Sequence, residues 1–177
     1  MRLLAFSTLL LVFFIEAKTQ PYPSGRISIN SGARVVFDFN TLDKFNNGLE
    51  KPNYTEIKID FIDTDDNLGW ELGVQASSAA IDPSFESVSG LPLNIIEIST
   101  TTCPSCTPIM LEPGFQILAE EVWPGGGLGA EKVVSEIVNL SYYCNKGYVV
   151  GNIPINLADY VNDTYVVELE FTLRRKQ

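Results

Sequence analysis

Residues 56–76 read EIKIDFIDTDDNLGWELGVQA, two alternating runs on either side of an acidic turn. Ile57, Ile59 and Phe61 alternate with Glu56, Lys58 and Asp60, and after the turn Trp70, Leu72, Val74 and Ala76 alternate with Glu71, Gly73 and Gln75. A period of two puts every apolar side chain of a run on one face, the pattern of a strand with one buried side. Two such runs around the polar residues Asp65 to Gly69 predict a β-hairpin.

The same period recurs outward from this stretch. Val35, Phe37 and Phe39 predict a strand, as do Leu91 to Ile98 and the shorter Phe115 to Leu118. The longest run closes the chain, with Tyr165, Val167, Leu169, Phe171 and Leu173 against Val166, Glu168, Glu170, Thr172 and Arg174. Its apolar face joins those of the first two runs in the expected core: Ile57, Ile59, Phe61, Trp70, Leu72, Val74, Val167, Leu169 and Phe171. One segment carries both periods. Ala130, Val133, Val134, Ile137 and Val138 have helical spacing, while Val138, Leu140, Tyr142 and Cys144 alternate. It reads as a short helical turn near Glu131 followed by a strand through Tyr143. Seven or eight short strands with turn residues between them predict an all-β fold, an antiparallel immunoglobulin-like β-sandwich with that one helical turn.

Charge and composition narrow the function. The 177 residues carry a net charge of −10 and no histidine. So acidic a surface repels phosphate backbones, which argues against nucleic-acid binding. Without histidine there is no Ser-His-Asp triad, no Cys-His pair and no imidazole metal ligand. With 45% hydrophobic and 19% charged residues the chain has the composition of a globular domain.

Met1-Arg2 followed by the apolar run Leu3 to Ile15 and the small residue Ala17 has the form of a secretory signal. As a helix the run would rise about 20 Å, short of the roughly 30 Å hydrocarbon core of a bilayer. Residues 1–17 are therefore expected to be a signal peptide, and 18–25 (KTQPYPSG) a proline-punctuated extended lead-in. Residues 26–177 are expected to form one sandwich domain, secreted or at the envelope surface, with no transmembrane segment once the signal is removed.

Cys103-Pro-Ser-Cys106 has the spacing of a redox or zinc motif. It lies among threonines and prolines rather than at the start of a helix, and three thiols without histidine fall short of a zinc site. For an exported protein the expectation is one disulfide joining Cys144 to either Cys103 or Cys106. Asp63, Asp65 and Asn67 imitate the start of a calcium loop, yet Leu68 replaces its glycine and Val74 its bidentate glutamate. They remain a weak calcium candidate. Gly125 to Lys132 lacks the spacing of a phosphate-binding loop and reads as a plain loop. Trp123 with Tyr142 and Tyr143 is a candidate stacking platform for sugars. Asn53-Tyr-Thr55, Asn139-Leu-Ser141 and Asn162-Asp-Thr164 fit the N-glycosylation pattern. Paired carboxylates for glycoside hydrolysis are remote in sequence, so nothing selects one pair among 22 acids. No cofactor is expected.

The run DTDDNLGWELGVQA at 63–76 resembles the acidic turn, Gly-Trp pair and alternating strand of pilin-like and WxL-like bacterial surface domains. Gly90-Leu91-Pro92-Leu93 with the isoleucine-rich run after it is similar to that group. So is the end of the chain, Leu157 to Tyr160 and Asp163-Thr164-Tyr165 into the terminal strand. The resemblance implies an immunoglobulin-like sandwich exported to the envelope and serving in fibres, adhesion or surface layers. The expected function is thus a non-catalytic surface or fibre subunit, joined to other surface proteins or to copies of itself through sheet edges. The alternative is an extracellular module that binds a carbohydrate or other ligand, and a further reading is an acid-pair hydrolase.

Overall fold

The computed structural model describes residues 24–39, 41–63, 69–84, 89–100, 107–122, 132–160 and 164–176. The strands are β1 (Ser24–Ser31), β2 (Leu49–Asp63), β3 (Gly69–Ala76), β4 (Ala80–Pro83), β5 (Leu91–Pro92), β6 (Ile96–Thr100), β7 (Ile109–Met110), β8 (Gln116–Val122), β9 (Lys132–Cys144), β10 (Tyr165–Val166) and β11 (Leu169–Arg175). One short helix, α1 (Leu42–Asn47), and two 3₁₀ turns complete the described elements. One layer is five-stranded in the order β1-β2-β9-β6-β7; the other strands form the groups β11-β3-β8 and β10-β4-β5. Every pairing is antiparallel. The chain is an all-β antiparallel sandwich, as its alternation predicts.

Ile57, Ile59 and Phe61 of β2 and Trp70, Leu72 and Val74 of β3 are buried and belong to one apolar cluster. Burial of each such side chain is worth about 1.5–3 kcal/mol, so the two runs that decide the fold also anchor it. Val167, Leu169 and Phe171 are only half-buried. They lie on or just before β11, the edge of its sheet, where neighbours cover one side alone.

Several sequence expectations are corrected. β2 and β3 do not form a hairpin: β2 pairs with β1 and β9, and β3 with β11 and β8, so the chain crosses between sheets after Asp63. Alternation reports which face is buried and is silent on the partner strand. Val35, Phe37 and Phe39 belong to no strand, although all three pack half-buried against the core. The edge of β2 that such a strand would need is taken by β1, which begins at Ser24, inside the expected lead-in. The terminal run is two strands, because β10 pairs with β4 while β11 pairs with β3. From Lys132 onward the segment with two periods is wholly strand, while the turn expected near Glu131 lies outside the described residues.

On the outer face of the second layer, β3 carries an irregularity between Leu72 and Gly73. The Phe115 ring lies where a Gly73 side chain would stand, so glycine is required by close approach. The Arg174 guanidinium sits 3.8 Å from the centre of that ring and is held by Glu71 at 2.7 Å.

Candidate functional site: an anchored apolar loop

β9 ends at Cys144, and the chain then turns back over the outer face of the five-stranded sheet. Asn145, Gly147 and Gly151 adopt positive φ (58°, 68° and 87° respectively), the conformation that asparagine and glycine tolerate best. Beneath this loop lies Glu97 of β6. Its neighbours Ile96 and Ile98 point into the core, so the pleat sends Glu97 to the opposite face. The loop covers it completely. Its carboxylate accepts from the Tyr148 backbone N–H at 2.9 Å, the Val149 N–H at 2.9 Å and Asn152 Nδ2 at 2.7 Å. Burying a carboxylate is unfavourable unless its oxygens are satisfied, and three donors meet that requirement.

A second buried polar side chain closes the base of the loop. Asn145 Nδ2 donates to the Ile155 carbonyl at 2.9 Å, and the Ile155 N–H donates to Asn145 Oδ1 at 2.8 Å. The side-chain amide thus imitates one rung of a ladder. Asn152 Nδ2 also donates to the Asn94 carbonyl at 2.9 Å, and the Asn145 N–H to the Ile95 carbonyl at 2.7 Å. The loop is fixed to β6 and its approach at several points.

What this framework presents to solvent is apolar. Val150 is 99% exposed, Ile153 80% and Tyr148 51%. The Tyr148 ring meets Tyr143 edge-on, with centroids 4.8 Å apart and planes at 84°, and Lys146 Nζ lies 5.7 Å from the Tyr148 ring centre. Scattered exposed apolar residues are ordinary, but here they crown a loop whose backbone is held by buried polar groups.

The residues singled out from sequence fall elsewhere. Tyr142 and Tyr143 are consecutive on β9 and point to opposite faces, so they cannot share a platform. Tyr142 is buried and donates to Thr55 Oγ1 at 2.9 Å; burial pushes its phenol up to about 12. Tyr143 is half-buried beside Ser99, 3.2 Å between hydroxyl oxygens. Trp123 lies outside the described residues, as do Asp65, Asn67, Cys103, Cys106 and Asn162. Asp63 is the last residue of β2. Among the described residues no group of three or more acids or cysteines is placed to hold a metal ion.

The disulfide expected at Cys144 is not formed: this residue is a free thiol in the core, and burial raises it to about 12. Of the glycosylation tripeptides, Asn53 is exposed, and its N–H donates to Ser141 Oγ at 2.9 Å. Thr55 is buried and donates to the Gly32 carbonyl at 2.7 Å.

The fold also brings two acids together. Glu121 of β8 accepts from Trp70 Nε1 at 3.0 Å, and its carboxylate faces Glu136 of β9 in the opposite layer closely enough to act on it. Burial, and then the charge of Glu121, raise the Glu136 carboxyl.

Comparison with family models and with curated proteins returned no match. Among the described residues no helix is long and apolar enough to cross a membrane.

Proposed function

We propose that this protein is a non-catalytic subunit of a cell surface or fibre, exported by its N-terminal segment, whose contacts are made by sheet edges and by the loop after β9. The observation that carries this reading is the pairing of rigidity with exposure in that loop. Glu97 and Asn145 fix its backbone, and Val150 and Ile153 stand out from it. A loop ordered before binding loses little conformational entropy on contact, so its apolar tip suits recognition of another protein. The likeness of 63–76 and of the chain's end to pilin-like and WxL-like domains supports the same reading. The sugar-binding alternative is less well supported, because Tyr143 and Tyr148 meet edge-on and offer no shared flat face.

The test is electron microscopy and adhesion measurement on cells with the gene deleted, or carrying Val150→Asp with Ile153→Asp. Deletion should remove a surface structure or adhesive property. The double variant should be exported and folded yet fail to restore it. Unchanged surfaces together with specific hydrolysis of a glycan would overturn the proposal.

A further inference from the structure

The five-stranded layer ends in β1, and among the described residues no strand pairs with its other edge. Native proteins protect such edges with charges, proline or bulges. The edges of the facing sheet follow that rule: β8 carries Glu120 and Glu121, and β11 carries Glu170, Arg174 and Arg175. β1 reads SGRISINS, with Arg26 as its one charge and no proline, and its one irregularity falls late in the strand, between Ile29 and Ser31. Its inner-face residues are incompletely covered, Ile27 half-buried and Ile29 37% exposed.

From these features we infer that β1 pairs antiparallel with β1 of a second copy, about a two-fold axis through Ser28, joining two five-stranded layers into one continuous sheet. This deepens the surface-subunit reading by naming one partner, and a dimer without any surface role would leave it standing. Four arguments support this partner and register. Pairing centred on Ser28 sets Ile27 of each copy opposite Ile29 of the other, so both half-covered side chains gain an apolar cross-strand neighbour. The same register brings Arg26 across from the irregularity at Asn30, whose Nδ2 already donates to Glu56 Oε1 at 2.8 Å, placing the guanidinium toward that carboxylate. Charge also permits the contact. In a chain of net charge −10, the outer-face row beside β1 balances, with Arg26 and Lys58 against Glu56 and Asp60. The faces match as well, since a two-fold axis perpendicular to a sheet keeps inner residues inner.

Sedimentation equilibrium on the purified protein reads the assembly, and two substitutions read the register. Ser28→Glu gives the monomer a cross-strand partner in Lys58, which stands opposite Ser28, but sets two carboxylates face to face at the axis. The wild type should be a dimer at micromolar concentration. Ser28→Glu should weaken the dimer about tenfold or more, while the melting temperature of protein diluted to its monomer is not lowered. Under oxidation Ser28→Cys should cross-link two chains above the wild-type level and Asn30→Cys should not. A wild type that stays monomeric would overturn the inference, as would a dimer indifferent to Ser28→Glu or a cross-link through Asn30→Cys alone.

Discussion

The facing strands β2 and β3 and the loop after β9 are both well ordered by their contacts, but opposite physics orders them. Between β2 and β3 the agent is apolar burial, which is roughly proportional to area and indifferent to direction. In the loop it is a carboxylate and an amide, each satisfied by donors and acceptors at fixed positions. The strands therefore sink their apolar side chains, while the loop buries its polar ones and leaves Val150 and Ile153 in water. Directional anchoring frees the apolar residues for a partner. This is the physical basis on which a sandwich can hold a binding surface that takes no part in its own core.

Cys144, the last residue of β9, stands opposite Leu49 of β2 and leads directly into the loop. It gives the largest expected effect. Its thiol is raised from 9.0 to about 12, so at neutral pH the thiolate is about a thousandfold scarcer than on an unperturbed cysteine. Alkylation of the folded protein should leave Cys144 unmodified until denaturant is added. Rapid modification under native conditions would show that the loop lifts away from the strand end.

Next come two substitutions that set one region against the other. Leu72→Ala removes a fully buried side chain from β3 and should lower stability by about 2–5 kcal/mol in denaturant titration. Glu97→Gln replaces an acceptor oxygen by an amino group facing backbone N–H donors, and about 1.5–3 kcal/mol is expected. The distinguishing result is locality: Leu72→Ala should weaken the whole domain, while Glu97→Gln should loosen the loop first. Leu169→Ala, on a half-buried edge strand, should cost less than Leu72→Ala. Equal losses would mean that β11 is as enclosed as β3.

The smallest effect concerns the acid pair. Glu136 has its carboxyl raised in the folded state, so its favourable contribution is present below the unfolded value near 4.5 and is lost as pH rises through the folded value. Glu136→Gln keeps a donor toward Glu121 and removes the charge. It should raise the melting temperature modestly near neutral pH and leave it unchanged well below pH 4.5. A variant that is less stable at neutral pH would contradict the sign.

These contrasts also explain what the amino-acid order made legible. The inward faces of β2 and β3 were plain, because alternation is the direct mark of one-sided burial. Partner choice was not, since the same faces serve a hairpin or a crossover equally well. β1 was hidden by polar Ser28 and Asn30 on an edge strand, and α1, at six residues, is too short to show a period. In the loop the available signal was a charge inside an isoleucine run, Ile95-Ile96-Glu97-Ile98, together with Asn145, Gly147, Gly151 and Asn152. Composition marks those residues as turn formers. Which amide meets which carboxylate is decided by tertiary placement, 51 to 55 residues apart.

Amide hydrogen exchange at Tyr148 and Val149 tests the anchored loop most directly. Both N–H groups point at Glu97 rather than at solvent. They should be strongly protected in the wild-type protein, and Glu97→Gln should abolish that protection while the amides of β2 and β9 exchange as before. Unprotected Tyr148 and Val149 amides in the wild type, with the sheet intact, would contradict the account.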